Sequence, residues 1–543
     1  MNPENDALQL KKAEDLFIRN CVNDALPVFK ELANHGNGRA LYFMGEYYKH
    51  GWAGLPEDPA AAFPYYRQGA EKGDALCQLN LAYEQEEGSE ARKEMVNKAL
   101  PKIREMAESG DLIAQDELGD ALLTSSGSKK EGLKWERKAA DHGYWPAAEA
   151  LVFLLEDKRE RIQYAKKFID LSGNHAGEAA NEIGLIFSSQ GDFTDAVEWY
   201  RKSAEMGFDA AMINLAEHYR YGDGVPKDEE KAKAWYKRAY DRHGEAAGKG
   251  ANRIGVLFHI HGDYASAMDW YKKGAETGFD WPMCNIGELY KDGKGVPQDK
   301  EKAKEWCKKA YEQHGSAAGK AANEIGLIFA SQGDFASAME WYRKGAKAGY
   351  DAAMLNIGLS CQDGEGVPQD EEKAREWCKK AYEQHGRFAG EAANNVGVIF
   401  ESHGDYASAV EWYGKGAKAG YDWAMFNTGM FYQKGKGVPQ DTEEAKVWYK
   451  KAYEKHGEAA AKAADKMGLI FTSQHDYAGA LEWYKKSAEA GYDWAMVKTG
   501  VIYQYGKGVP QDTEEAKAWY KKAYDRHGDA AEKAAELMNK IEE

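Results

Sequence analysis

Cysteine is scarce in this chain, and what there is forms no framework. The six cysteines, Cys21, Cys77, Cys284, Cys307, Cys361 and Cys378, make no CxxC pair and keep no even spacing, which argues against a disulfide scaffold or a zinc ribbon. Proline is sparse as well, 13 in 543 residues. No stretch approaches the roughly 18 apolar residues of a membrane span. The first residues, MNPENDALQLKKAEDLF, lack the basic-then-apolar run of a secretory signal. A cytoplasmic, reducing location without membrane insertion is the expectation. Basic charge is outnumbered, 72 Lys and Arg against 89 Asp and Glu, for a net charge of −17. That balance repels phosphate backbones, so nucleic acid is not an expected partner.

Chemical motifs are missing too. There is no H-E-x-x-H, and the Gly435-Lys436-Gly437 string lacks the context of a phosphate-binding loop. The loops YGDGVPKD and CQDGEGVPQD lack the ligand spacing and terminal Glu of a calcium loop. Histidines recur before glycine at His243, His314, His385, His456 and His527, where they suit the negative end of a helix. No Ser or Cys recurs beside them in a triad-like setting. No catalytic residue, metal site or cofactor is expected.

What the chain does have is periodicity. Hydrophobic residues make up 43%, with 16 Trp and 33 Tyr. Trp-Tyr recurs at Trp199, Trp270, Trp341, Trp412 and Trp483, each 71 positions after the last. Val-Pro keeps the same step at Pro226, Pro297, Pro368, Pro439 and Pro510, and so do Trp235, Trp306, Trp377, Trp448 and Trp519. Three registers in phase mark an array of repeats. Each unit reads as two helical hairpins, the shorter turning at Gly-Asp (His475-Asp476 in the last copy) and the longer through G-x-G-V-P-x-D. Asp228 and its equivalents are N-caps, with capping-box spacing at Asp441/Glu444 and Asp512/Glu515. Cys307 and Cys378 stand where other copies carry Tyr236, Tyr449 and Tyr520, and read as core substitutions.

The expected fold is all-α, a right-handed α/α superhelical solenoid of about fifteen helix-turn-helix repeats. Residues 1–178 are degenerate hairpins, the fourth ending at Gly173; residues 179–528 are five copies of the double hairpin; residues 529–543 form a capping helix.

Gly222, Gly224, Val225, Pro226, Asp228, Ala232, Trp235, Tyr236 and Ala239 carry a pattern that resembles the Sel-one-like repeat family, a branch of the tetratricopeptide superfamily. The shorter hairpin looks nearer to a plain tetratricopeptide repeat. One branch of the family is secreted and disulfide-rich, and the lack of regular cysteine pairs sets this chain apart from it. The resemblance implies adaptor and assembly roles, common among bacterial members, without fixing a partner.

Two stripes are candidate partner-binding faces. On the first helix of the long hairpin, Trp423, Phe426 and Met430 share a face, matched by Trp494 and Val497, by Leu355, and by Trp281. The repeat core hardly changes between copies, whereas this stripe does. In the superfamily such first helices line the concave surface, where exposed aromatics are natural anchors. The other reading is packing between successive first helices. On the short hairpin, Asn181, Asn252, Asn323 and Asn394 recur, with Lys249 and Lys320 three residues before two of them. Asn can hold a peptide backbone amide and Lys a carboxylate; equally, the Asn residues can tie repeats together. The function implied is a non-enzymatic scaffold or adaptor for a peptide segment or partner protein. The alternative is a regulatory or inhibitory binder, for example one neutralising an effector or toxin enzyme.

Overall fold

The computed structural model describes residues 3–87, 89–124, 128–171 and 176–542. They form 31 α-helices and one 3-10 turn, Trp52–Gly54, with no strand among the described residues. Among the described residues successive helices pair into hairpins, seven from Pro3–Ile18 to Glu229–Asp241 and seven from Asp280–Asp292 to Thr513–Asp525, followed by a final helix, Ala531–Glu542. Gly173 and Glu543 lie outside the described residues. The array is an α/α solenoid, as its period implies. It comprises two compact units, Met1–Leu257 and Phe258–Glu543, the division falling inside the helix Ala247–Ile260.

The third full repeat, in the C-terminal unit, shows how sequence becomes structure. Its short hairpin is Ala318–Ser331 with Phe335–Lys347, and its long hairpin is Asp351–Asp363 with Glu371–Glu383. Asp334 caps the second of these helices by accepting the Ser337 amide at 3.0 Å, and Asp370 caps the fourth by accepting the Lys373 amide at 3.0 Å. The G-x-G loop closes onto the short hairpin. Gly366 has φ +72°, and a Cβ there would overlap the Phe335 carbonyl, so only glycine fits. The capping boxes are half made. Asp441 accepts the Glu444 amide at 2.9 Å, but its own N–H donates to the Tyr432 carbonyl at 3.0 Å. The loop folds back far enough to satisfy that amide, leaving Glu444 nothing to cap.

In seven of the hairpins a glycine of the first helix lies against a tyrosine ring of the second. An added Cβ on Gly326 would sit 2.5 Å from the Tyr342 ring, and Gly397 faces Tyr413 in the same way. Cys307 and Cys378 occupy that ring position opposite Gly287 and Gly358, fully buried and unbridged. Burial pushes the Cys378 thiol up to about 12, so it packs as a small apolar group.

The recurring histidines sit one step beyond where the sequence places them. The helix stops at Glu383, and His385 itself takes the left-handed conformation, φ +52°. Its glycine neighbour is needed for another reason: a Cβ on Gly386 would overlap the Asp351 carboxylate. That carboxylate accepts the Phe388 amide at 2.8 Å and the Ala352 amide at 2.9 Å. In four of the five copies an aspartate at the head of the long hairpin thus reaches 37 residues on to hold the entry to the next, while Asp493 in the last copy pairs with Arg526. The His385 ring lies edge-on to Tyr382 at 5.9 Å, a structural use that recurs in every copy.

His475 occupies the turn where the other copies have Gly191, Gly262, Gly333 and Gly404, and is held at φ +62°. A left-handed non-glycine residue costs about 1 kcal/mol. His475→Gly should therefore raise stability by about that much in denaturant titration; a loss of stability would show that the ring's place beside Tyr477 outweighs the backbone strain.

In the N-terminal unit the first five hairpins close on themselves. Phe17, at the end of helix Pro3–Ile18, packs its ring against Tyr144 and Trp145 at 6.4 and 5.9 Å. The Trp145 indole N–H donates to the Phe17 carbonyl at 3.0 Å. Arg39 fastens the seam, reaching Glu14 at 2.8 Å and both oxygens of Asp111 at 2.9 Å.

Candidate binding surface

Within the C-terminal unit the first helices of successive hairpins touch one another: Asp280–Asp292 meets Ala318–Ser331, which meets Asp351–Asp363. Ala389–Ser402 likewise meets Asp422–Lys434, and the structure distributes the candidate residues unevenly over these first helices.

The asparagines form a ladder between first helices. The side-chain amide of Asn356 donates to Asn323 Oδ1 at 2.8 Å, and that of Asn427 donates to Asn394 Oδ1 at 2.9 Å. Asn214 does the same to Asn181 at 2.9 Å in the N-terminal unit, where Asn252 is likewise buried. The last copy replaces the pair with Lys498 on Asp465, 2.6 Å apart. These amide oxygens are engaged within the protein. Lys320 pairs with Glu288 at 2.8 Å; the carboxylate outweighs the burial that opposes its charge, and its pKa rises. Lys249 is exposed.

The aromatic stripe divides in two. Leu355, Phe426 and Val497 point into the hairpins and are buried. Phe426 packs edge-on to Trp423 at 5.6 Å and against Tyr449 at 5.7 Å. Three residues along a helix turn the side chain some 60° from the first position, enough here to carry it from the rim into the hairpin. Trp281, Trp423 and Met430 remain half-buried, and Trp494 is 37% exposed. Lys462 lies 4.8 Å over the Trp423 ring and Lys320 5.5 Å over Trp281. One helical turn after the ladder residues Asn394 and Asp465, and after Asn181 in the N-terminal unit, the aliphatic side chains of Val398, Leu469 and Leu185 are exposed. They were legible as a fourth 71-residue series, Leu185, Val256, Leu327, Val398 and Leu469.

The sequence reading missed a carboxylate-rich cavity of about 530 Å³ in the N-terminal unit, walled by Phe17, Tyr42, Phe43, Trp52 and Tyr144. Glu46 accepts the Tyr66 hydroxyl at 2.6 Å and lies 3.2 Å from His50 and 3.5 Å from Lys49. Burial works against its charge, but the two basic groups prevail and hold its carboxyl below the usual range. Glu117 accepts the Tyr42 hydroxyl at 2.7 Å and the Asn80 amide at 3.0 Å, yet burial and the Glu46 charge push it up to about 7. Burial, then the Asp116 carboxyl, drive Glu136 far above the ordinary range. One irregularity signals the site. Where the full repeats read Trp-Tyr or Trp-Cys, this hairpin reads Trp135-Glu136, and Gly119 lies against the Glu136 carboxyl where its counterparts lie against a Tyr ring or a Cys thiol.

Comparison with known proteins decides the family. The Sel1 repeat model matches ten segments that together cover more than half of the chain: 38–74, 112–144, 209–243, 249–279, 283–314, 351–385, 390–421, 424–456, 457–492 and 495–527. The chain belongs to the Sel1 repeat family. A tetratricopeptide repeat model matches residues 177–206 and 319–348, the short hairpins of the first and third copies, while the other short hairpins read as Sel1 repeats. Among curated relatives, chitin synthase regulatory factor 3 of Schizosaccharomyces pombe is 26% identical over 210 residues, 36% of this chain and 22% of the relative. An uncharacterized protein of Neisseria meningitidis is 24% identical over 312 residues, 56% of this chain and 64% of the relative. The chain thus spans less than two thirds of either. Among solved structures, the uropathogenic Escherichia coli protective antigen c5321, which displays an SLR fold, is 26% identical over 82% of this chain and 90% of its own, with a TM-score of 0.40. A Sel1 repeat protein of Oxalobacter formigenes is 26% identical over 50% and 99%, with a TM-score of 0.36.

The Sel1 array is a fold typical of protein–protein interaction scaffolds. No helix among the described residues is long and apolar enough to cross a membrane, and none of them form a metal-holding cluster of three or more His, Cys, Asp or Glu.

Proposed function

We propose that this Sel1-repeat protein is a non-catalytic scaffold that holds a peptide segment or helix of a protein partner on the first-helix face of residues 258–543. The observation that carries the reading is the set of indole rings on first helices that hairpin packing leaves accessible, Trp281, Trp423 and Trp494, with Met430 half-buried on the helix of Trp423 and Val398 and Leu469 exposed on other first helices. Large aromatics at a partly desolvated surface are the side chains that concentrate binding energy. Leu355, Phe426 and Val497 support this surface from beneath, and the Asn ladder with Lys320 fixes the spacing of the first helices. Partners with basic character suit the net charge of −17. That a chitin synthase regulatory factor shares the repeat agrees with an adaptor or regulatory role.

The test is affinity capture with the wild-type chain and a Trp281→Ala, Trp423→Ala, Trp494→Ala variant of matched helical content. The variant is expected to bind a captured partner at least a hundredfold more weakly, since each aromatic anchor contributes on the order of 1–2 kcal/mol. Unchanged affinity in the folded variant would remove the first-helix face from the account.

A further inference from the structure

At the junctions between copies, a long hairpin's first helix sends one side chain toward the next short hairpin, and its partners can be read off copy by copy. At the first junction this side chain is Glu217, 2.7 Å from the Arg253 guanidinium, with Lys249 one helical turn before Arg253 on the helix Ala247–Ile260. At the second junction it is Glu288, 2.8 Å from Lys320, which stands where Lys249 stood. The carboxylate is thus held from two places, one helical turn apart, on the following helix. At the third junction all three change together: Leu359 replaces the carboxylate, and Glu391 and Asn395 replace the cations. The fourth junction breaks this pattern. Lys462 and Lys466 return both cations on the helix Ala460–Ser473, while the carboxylate position is taken by Met430.

Two cations one turn apart on a helix repel each other. Nothing in the chain relieves these two. Asp465, on the same helix, is taken by Lys498 at 2.6 Å, and among the described residues no other carboxylate pairs with Lys462 or Lys466. The rest of the arrangement is kept. Lys462 lies 4.8 Å over the Trp423 ring, as Lys320 lies 5.5 Å over Trp281. Met430 is half-buried on the helix of Trp423. Solvation of two surface lysines would account for the charges alone. It does not account for their return to the two places that hold a carboxylate elsewhere, over an indole, after the intervening copy has lost them. The fourth junction has the cations of the first and the indole of the second, and lacks only the acid.

We propose that Lys462 and Lys466 clamp the side-chain carboxylate of a glutamate or aspartate in the docked partner segment, with Trp423 and Met430 receiving the apolar residues beside it. The inference rests on the indole face as the docking surface and adds the chemistry of what docks there. A side chain is the occupant because Glu217 and Glu288 show that a carboxylate carried on a neighbouring backbone fits the place. The net charge of −17 acts on the approach of the partner as a whole; the clamp acts on one residue of the segment once it has docked.

Arrays of N-acetylated, C-amidated nonapeptides, with Leu, Phe and Ala varied around a fixed central Glu, Gln or Lys, test it when probed with the full chain at 150 mM salt. The best Glu peptides are expected to bind at least tenfold more tightly than their Gln counterparts, with the Lys set weakest. Met430→Glu supplies the carboxylate from within, as Glu217 and Glu288 do. It should keep or raise the melting temperature while removing the preference for Glu, which separates lost recognition from lost folding. Lys462→Met with Lys466→Met should remove the preference as well. Equal binding of Glu and Gln peptides overturns the clamp, and loss of that binding in Trp423→Ala would leave the indole face standing without it. A preference for Glu that survives both Met430→Glu and the double lysine variant also overturns the clamp, since it belongs to another surface. A preference that needs the lysines but is unmoved by Trp423→Ala keeps the clamp and removes the indoles from the docking surface. Absence of binding by every peptide overturns the proposal and leaves the indole face to the affinity capture.

Discussion

Between pH 5 and pH 8 the N-terminal unit should lose stability, while residues 258–543 change far less. Most proteins behave otherwise, because their carboxyls titrate below pH 5 and are stabilised as anions. Here Glu117 has a folded-state value of about 7, set first by burial and then by the Glu46 charge, against an ordinary 4.5. A raised value means that the folded state holds the proton more tightly than the unfolded chain. Its contribution is complete below pH 4.5 and is lost as pH climbs through 7. For a shift of that size the loss is on the order of 3 kcal/mol. Glu149, also near 7 through burial and the neighbouring Glu178, acts in the same direction, as do Asp116 and Glu136. Lys49, His50 and the Tyr42 hydroxyl face this group and moderate the repulsion. Glu46, held below the ordinary range, costs stability only at pH values below the window. In the C-terminal unit the carboxyls of Asp263, Asp334 and Asp405 are lowered by serine hydrogen bonds, and their contribution fades only under acid. Hydrogen exchange across helix Leu112–Thr124 should therefore be slower at pH 5 than at pH 8 after correction for the intrinsic rate, and Glu117→Gln should flatten the difference. Equal protection at the two pH values would contradict the electrostatic picture of the cavity.

Tyr449→Ala should remove about 3–5 kcal/mol from its repeat. The ring is fully buried, lies against Gly429 and Phe426, and its hydroxyl donates to Gln433 Oε1 at 2.7 Å. The helices around it are held by Asp422 on the Ala459 amide and Asp441 on the Glu444 amide, which limits their collapse into the space. At the equivalent position Cys378→Ala should cost about 1 kcal/mol, since that copy packs a smaller group against Gly358. In an array where each hairpin leans on its neighbours, the loss should spread to the next hairpin on either side and fade beyond. Denaturant titration gives the size and hydrogen exchange gives the spread. A cost below 1 kcal/mol for Tyr449→Ala would mean that the glycine–tyrosine contact does not hold the hairpin together.

The repeat was legible because its signals are local and recur. Gly-Asp turns, G-x-G-V-P-x-D loops and Asp N-caps each act within a few residues, and five copies make the register unmistakable. What escaped was long-range. The aspartate that reaches 37 residues to the next hairpin has no local signature, and the same is true of its demand for Gly386. The stripe of Trp423, Phe426 and Met430 looked uniform on a helical wheel. Its division into a buried and an accessible part is set by the neighbouring hairpin, which a wheel does not contain. The N-terminal cavity depends on Phe17 meeting Trp145 across 128 positions, a closure that no period in the degenerate first hairpins announces. Only Glu136, a carboxyl at a position where the full repeats hold tyrosine or cysteine, gave it away.

The most direct measurement of the scaffold account is hydrogen exchange on the full chain, with and without a partner obtained by affinity capture. The account predicts new protection concentrated on the first helices Asp280–Asp292, Asp422–Lys434 and Asp493–Gln504, with the second helices of the same hairpins unchanged. Protection confined to the second helices, or absent from residues 258–543 altogether, would contradict it.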